Sequence, residues 1–155
     1  MGKVGAVREY AAELVALSPD VIFAAGSVSV ESLIQATSTV PIVFTLVIDP
    51  LGAGFIDNLS RPNGNVTGFM LFEYSLSAKW LELLKQIAPD VTRAAVLRDP
   101  TFGGGVGQFA VIQSAAPSLG VELRPINLSD AREIERAIAA FAGGAKGGLI
   151  VTAGT

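Results

Sequence analysis

Short strand-like runs, most of them apolar, alternate with helical segments along the whole chain, and this alternation constrains the fold more than any other feature. The runs are short, and most are rich in β-branched and aromatic residues; in order they are residues 21–25, 42–47, 65–71, 94–99, 122–127 and 148–152. Most have apolar residues at successive positions, so both faces of the predicted strands are expected to be buried. Strands of this kind predict an α/β fold with Rossmann-like parallel sheets flanked by helices.

The segments between the runs predict the helices. Apolar residues at helical spacing or helix-starting residues predict helices over residues 6–17, from Ser27 or Ser29 as cap to about Thr37, 53–60, 76–88, 107–118 and 130–141. Asp130 and Glu133 resemble a capping box at the start of the last helix. The stripe of the fourth helix is expected to be Leu76, Trp80, Leu83, Leu84 and Ile87, with Trp80 in the core.

Two loops are also predicted. Pro62-Asn63-Gly64 is expected to be a turn. The glycine-rich residues 103–107 lie between a strand and a helix, but Gln108 stands where G-x-G-x-x-G needs its last glycine, and the Lys and Ser/Thr of a phosphate-binding P-loop are missing. We therefore expect a flexible loop there and no nucleotide cofactor.

Composition excludes several classes of function. The formal charge is −3 and the 11 basic residues are scattered, which argues against nucleic acid as a partner. The chain has no Cys and no His, which removes thiol nucleophiles, Ser-His-Asp relays and the usual zinc sites, so no catalytic residue, metal or cofactor is predicted. No apolar stretch reaches the length of a membrane span, and charges at residues 8, 9 and 13 interrupt the start where a signal peptide would be apolar.

The candidate site lies where the predicted strands end. Ligands of open parallel sheets bind beyond the carboxyl ends of the strands. The residues found there, and predicted to bind a ligand, are Gly26, Ser27, Asp49, Pro50, Phe72, Asp99 and Thr152. Asp49 is suited to an ammonium or hydroxyl group, Ser27 at a helix N-terminus to a carboxylate, and Phe72 to an apolar or aromatic group. The alternative is that these residues are ordinary turn formers, caps and core aromatics.

Four stretches carry a resemblance to a known family. They are "AAELVALSPDVIFAAGS", "ATSTVPIVFTLVIDPLGAGFIDNLSRPNGNVTGF", "AKWLELLKQIAPDVTRAAVLRDP" and "AAPSLGVELRPINLSDAREIERAIAAFAGGAKGGLIV". Together they resemble the ABC-transporter substrate-binding proteins of the TrpX-like group, although Asn63 replaces the first Gly of the RPGGN motif. The resemblance implies a type I periplasmic-binding fold of two lobes that bind a small solute, an aromatic or other amino acid, and deliver it to an ABC permease.

Set against that family, the chain is expected to contain parts of two lobes. Residues 1–72 are expected to form lobe one without its first strand-helix-strand, residues 73–93 a connecting helix and linker, and residues 94–155 part of lobe two. The missing strand would leave the edge of strand 21–25 unpaired, and strand 148–152 is expected to have another such edge. Exposed edges favour self-association, so we expect a homodimer or a larger assembly.

The resulting function hypothesis is a solute-binding component of an ABC uptake system, or a truncated remnant of one, that binds an amino-acid-like ligand without chemistry. Two alternatives remain at this stage: an orphan α/β domain that self-associates and binds no solute, and a small α/β nucleotide-binding enzyme. The resemblance implies a periplasmic location. Because no signal peptide is seen, a cytoplasmic location is expected if the chain is the complete product.

Overall fold

The computed structural model of the protein describes residues 3–62, 64–128 and 130–152. The chain divides into two compact units, Met1–Glu73 and Tyr74–Thr155. Among the described residues, no helix has the length and apolar character that a membrane crossing requires.

The first unit contains two helices and three strands. In chain order these are α1 (Lys3–Ala16), β1 (Ile22–Ala25), α2 (Ser27–Ala36), β2 (Ile42–Val47) and β3 (Val66–Met70). The strands form a parallel sheet in the order β1-β2-β3, with Ile22 opposite Ile42 and Ile42 opposite Val66. The structure thereby confirms the parallel α/β class and the three strands predicted for this part of the chain.

One face of this sheet carries the core of the first unit. Ile22 and Ala24 of β1 are buried in a cluster with Val30 and Leu33 of α2, while Phe23 between them is 70% exposed. β1 is therefore covered on one face only within the unit. The expectation that both faces of the strands are buried is wrong for β1, because its apolar run is continuous in sequence but its two faces have different surroundings.

The second unit contains the remaining helices and strands. They are a 3-10 helix (Tyr74–Leu76), α3 (Ser77–Ile87), β4 (Arg93–Arg98), α4 (Gly103–Ala115), a second 3-10 helix (Ala116–Leu119), β5 (Glu122–Asn127), α5 (Ala131–Ala142) and β6 (Gly147–Val151). The sheet is parallel, in the order β5-β4-β6. Pro125 lies on the edge strand β5, as its missing N–H predicts.

β4 is the centre of the second unit and is buried on both faces. Ala94 and Val96 belong to a cluster with Leu81 of α3, and Ala95 and Leu97 belong to one with Phe141 of α5. α5 begins as predicted, because the side chain of Asp130 accepts hydrogen bonds from the backbone N–H groups of the helix's first turn.

Two helix predictions need correction. Residues 53–60 form turns, because Gly54 has the left-handed φ of 73° and the side chain of Asn58 accepts the N–H groups of Ser60 and Arg61. The predicted stripe of α3 is displaced: Leu81 is fully buried, and Leu76, Leu83 and Ile87 are about half exposed or more. Trp80 and Leu84 pack against the core only in part.

The glycine run at residues 103–107 belongs to a helix, which contradicts the predicted flexible loop. α4 starts at Gly103. A Cβ at Gly105 would lie 2.6 Å from the carbonyl oxygen of Asp99, and one at Gly107 would lie 2.5 Å from the ring of Tyr74. The glycines let this helix approach the end of β4 closely. The predicted turn at Pro62-Asn63-Gly64 falls partly outside the described residues, since Asn63 is not described.

Gly68 provides a test of the β2–β3 packing. A Cβ at Gly68 would overlap the backbone carbonyl of Phe44, so we expect Gly68→Ala to lower the free energy of unfolding by about 1–3 kcal/mol. The matched control is Gly5→Ala in α1, where an added Cβ meets nothing within 4 Å and helix propensity gains up to ~1 kcal/mol. Urea unfolding of both variants checks this. Equal stability of the two variants would contradict the packing described for β2 and β3.

Candidate functional site at the carboxyl ends of the strands

The first unit brings three of the predicted site residues to one edge of its sheet. Ser27, Asp49 and Phe72 follow β1, β2 and β3, and the strands are parallel, so their carboxyl ends lie side by side. Backbone hydrogen bonds continue past the strands: the N–H of Gly26 donates to Thr45 (2.9 Å from N to O) and the N–H of Asp49 donates to Phe72 (2.9 Å). The positions of these residues relative to one another are therefore set by the sheet.

Gly26 and Ser27 form the beginning of α2. Gly26 is the N-cap, with φ 82° and ψ 148°, and no side-chain hydrogen bond caps the helix. The prediction that Ser27 or Ser29 is the cap is therefore wrong. Ser27 is the first helical residue, it is buried, and its Oγ accepts a hydrogen bond from the N–H of Ile48 at 3.4 Å. Glycine at the cap is explained by the positive φ, which a side chain makes costly.

Asp49 and Pro50 begin a tight turn after β2. The backbone of Asp49 is left-handed, with φ 41°, a conformation that Asp tolerates better than most residues. Its Oδ1 accepts a hydrogen bond from the N–H of Gly52 at 2.7 Å, and its carbonyl accepts one from the N–H of Ala53 at 2.8 Å. Pro50 is fully buried. The turn-forming alternative is thus correct for Asp49 in one respect, since its carboxylate orders the turn.

The carboxylate of Asp49 also borders a cavity of about 280 Å³ in the first unit. The cavity is lined by Asp49, Leu51, Gly52, Leu59, Met70 and Glu73. It combines two carboxylates with three large apolar side chains, a lining that suits a ligand with a cationic group and an apolar body. Leu59 could not be predicted as a cavity residue, because it lies in the turns between β2 and β3, far in sequence from either strand end; Met70 is the last residue of β3.

Phe72 and Glu73 follow β3 at the same edge. Phe72 is half buried and its carbonyl accepts the N–H of Asp49. Phe72 is not among the residues that line the 280 Å³ cavity, whereas Glu73 is. Glu73 directly follows Phe72 at the end of a predicted strand, and this position in the sequence is the signal that could have identified it as a cavity residue.

The second unit places Asp99 and Thr152 after two neighbouring strands, β4 and β6. The Oδ1 of Asp99 accepts hydrogen bonds from the N–H and the hydroxyl of Thr101, at 2.8 and 2.6 Å. Thr152 is 1% exposed, and both its N–H and its Oγ1 donate to the carbonyl of Leu97, each at 3.0 Å. The hydroxyl of Thr152 therefore holds the end of β6 against β4.

Among the described residues, no group of three or more acidic side chains is arranged to hold a metal ion. Within each unit, the polar groups at the carboxyl ends of the strands are carboxylates, hydroxyls and backbone N–H groups, which bind ligands by hydrogen bonding and charge.

The comparisons with known proteins agree with this architecture. The chain is 29% identical over 136 residues to a tyrosine-binding protein of Clostridioides difficile strain R20291, an alignment that covers 88% of this chain and 39% of that protein. A conserved domain protein from Vibrio cholerae has 30% identity and a TM-score of 0.81 over 91% of this chain and 47% of its own.

A third relative shows the fold alone, since its sequence identity is 21%. It is the ABC domain in complex with L-Trp from Streptococcus pneumoniae, with a TM-score of 0.85 over 99% of this chain and 52% of that chain. The chain thus spans between 39% and 52% of the length of these three relatives. Residues 2–154 match the family described as ABC transporter substrate binding protein, and since this match covers nearly the whole chain, the chain belongs to that family.

Proposed function

We propose that the chain is the solute-binding component of an ABC-type uptake system, or a part of one, and that it binds a small amino-acid-like solute without chemistry. The observation that carries this proposal is the meeting of Ser27, Asp49 and Phe72 at one edge of a parallel sheet, beside a helix N-terminus that no side chain caps. Two relatives are named for tyrosine binding and for a complex with L-Trp, which favours an amino acid as the solute.

The start of α2 is the proposed site for the solute's carboxylate. The first N–H groups of a helix have no partner within the helix, and Gly26 supplies no side-chain acceptor for them. These N–H groups and the helix dipole favour an anion. The Oγ of Ser27 accepts the N–H of Ile48, and its hydroxyl proton remains able to donate to a carboxylate oxygen.

The cavity beside Asp49 is the proposed site for the solute's ammonium group. Asp49 and Glu73 give it a negative potential, and Leu59 and Met70 give it an apolar wall. A carboxylate has about four acceptor positions, so the turn bond from Gly52 is compatible with a bond from an ammonium group. Phe72 at the same edge is proposed to pack on the solute's side chain.

For the second unit, the assignment of Asp99 and Thr152 as solute contacts is a proposal that rests on their place after β4 and β6. The buried hydroxyl of Thr152 favours a positioning role for it, because its proton goes to Leu97. We also propose that residues 1–72 and 94–155 represent parts of the two lobes of the type I periplasmic-binding fold, joined by residues 73–93.

Two further features are proposed from the family. They are an ABC permease as partner and a location outside the cytoplasmic membrane. Both are properties of whole family members, and two of the relatives are about twice as long as this chain. Self-association through sheet edges is a third proposal, and it concerns a different surface from the solute site.

Ligand-induced stabilisation tests the role of Asp49. Amino acids, other small carboxylates and nucleotides at millimolar concentration are screened by thermal unfolding. A ligand at ~100 times its Kd raises the free energy of unfolding by ~2.7 kcal/mol, which raises the unfolding temperature by several degrees. We expect an aromatic or similar amino acid to give such a shift, and Asp49→Asn to abolish most of it. Asn can still accept the N–H of Gly52, so the variant without ligand should unfold near the wild-type temperature.

Asp57→Asn is the matched control for that experiment, since Asp57 is an exposed acid of the first unit that does not line the 280 Å³ cavity. It should retain the full ligand shift, and the charge-reversing Asp49→Lys should lose it. An unchanged shift in both Asp49 variants would remove Asp49 from the site. A flat result for every compound would favour the orphan domain that binds no solute, and turnover of a nucleotide or ester would favour an enzyme.

Analogues of the active amino acid test the carboxylate site at α2. The amino-acid amide keeps the ammonium group and side chain but has no negative charge for the helix N-terminus, so we expect its Kd to be at least tenfold weaker in calorimetry. The analogue without the ammonium group should bind the wild type more weakly than the amino acid does, and Asp49→Asn should leave the Kd of this analogue unchanged. An amide that binds as tightly as the amino acid would show that α2 does not hold the carboxylate.

A further inference from the structure

A bulge near the end of β2 decides which neighbouring strand Asp49 faces. The pairing of β2 with β3 shifts by one residue between Phe44 and Val47, and Leu46 within the bulge has a left-handed φ of 55°. The carbonyl of Thr45 accepts a hydrogen bond on the β1 side, whereas the carbonyl of Val47 accepts one on the β3 side. In a regular strand, residues two apart would bond to the same neighbour. The bulge therefore turns Val47, and Asp49 two residues later, toward β3.

The turn that follows β2 is held by hydrogen bonds within its own backbone. The carbonyl of Asp49 accepts the N–H of Ala53, and the carbonyl of Pro50 accepts the N–H of Phe55, both at 2.8 Å. The N–H of Gly52 donates to the Oδ1 of Asp49 at 2.7 Å. Pro50 is also fully buried. The turn backbone can therefore shift only if these hydrogen bonds break.

Gly52 lies directly against the carboxylate of Asp49. A Cβ at Gly52 would lie 2.8 Å from the Cγ and the Oδ2 of Asp49 and 2.9 Å from its Oδ1, closer than Cβ atoms approach other atoms in real proteins. The φ of Gly52 is not positive, so the backbone conformation of this residue does not require glycine. The space that the carboxylate occupies is what requires it.

We infer that Gly52 is a positioning residue of the proposed ammonium site: its N–H orients the carboxylate of Asp49, and its missing side chain leaves room for that carboxylate. Both residues line the 280 Å³ cavity. For its ligand, a primary ammonium group, the inference rests on the proposed function. A methyl group at residue 52 would displace the carboxylate, because the turn backbone is bonded and the end of the Asp49 side chain is free to rotate. Ligand binding would then weaken while the fold persists.

Gly52→Ala and Gly54→Ala form a matched pair with opposite expected effects. Gly54 has a φ of 73° and an added Cβ would meet nothing within 4 Å, so Gly54→Ala strains the backbone without touching Asp49. We expect Gly54→Ala to lower the unfolding temperature by several degrees and to leave the Kd of an amino acid unchanged. Gly52→Ala should unfold close to the wild-type temperature and should bind the amino acid more weakly.

Calorimetry shows whether Gly52 acts through the ammonium contact. The probes are L-tyrosine and L-tryptophan, and their analogues without the ammonium group are desaminotyrosine and indolepropionate. Gly52→Ala should weaken the amino-acid Kd by about tenfold or more, the loss of a hydrogen bond to a charged group, and should leave the Kd of the analogue unchanged. Adding Gly52→Ala to Asp49→Asn should weaken amino-acid binding no further, because both substitutions remove the same contact.

Three results of the calorimetry would each overturn the role of Gly52. They are an amino-acid Kd that Gly52→Ala leaves unchanged, an equal loss of affinity for the amino acid and its analogue, and losses that add in the double variant. If the wild type binds no amino acid of the thermal screen, the proposed function itself fails and Gly52 has no ligand to serve. A wild type that binds, beside a Gly52→Ala variant that binds equally well, contradicts this inference alone.

Hydrogen exchange tests the contact between Gly52 and Asp49 without a ligand. Because the N–H of Gly52 donates to the Oδ1 of Asp49, this amide should be protected from exchange relative to an unstructured peptide. The protection should persist in Asp49→Asn, whose side-chain oxygen can accept the same bond, and should fall in Gly52→Ala and in Asp49→Ala. Equal protection at residue 52 in the wild type and in Gly52→Ala would show that the added methyl group does not displace the carboxylate, and would also overturn the inference.

Discussion

The hydrogen-bonded parallel ladder of each sheet is the constraint on which the rest of the structure depends. Parallel strands cannot be joined by a tight turn, so a helix or a long connection must lie between them. Each connection returns the chain to the side of the sheet where the strands begin, and every strand of the first unit therefore ends beside its neighbour. The bonds from Gly26 to Thr45 and from Asp49 to Phe72 extend this alignment into the loops.

This alignment explains how residues far apart in the sequence come to share one edge. The side chain of Ser27 reaches the backbone of Ile48, 21 residues later in the chain. Asp49 and Glu73 line one cavity although β3 separates them in sequence. The polar groups are thus fixed by the sheet and by a short turn, and a binding site built on such elements is already ordered before a ligand arrives.

Local sequence predicted the strands well. β2 and β5 have the predicted bounds: β2 is an apolar run between Pro41 and Asp49, and β5 begins two residues after Gly120 with alternating charged and apolar residues. The sharing of one edge by Ser27, Asp49 and Phe72 followed from topology. Tertiary contacts decided what local sequence could not: Gly103–Gly107 became helical because α4 packs closely on Asp99 and Tyr74, against the low helix propensity of glycine. The hydrogen bond of Ser27 to Ile48 likewise depends on the fold.

The purely parallel order of β1, β2 and β3 also has a consequence for synthesis on the ribosome. β1 ends at Ala25 and its only described partner begins at Ile42, after α2 has been made. At about 5–20 residues per second, the ribosome takes on the order of one to a few seconds to reach that partner. During this interval none of the other described strands is available to pair with the apolar segment from Ile22 to Ala25. The rate of elongation through α2 therefore sets how long this segment waits for β2, and waiting apolar segments are the ones that chaperones bind.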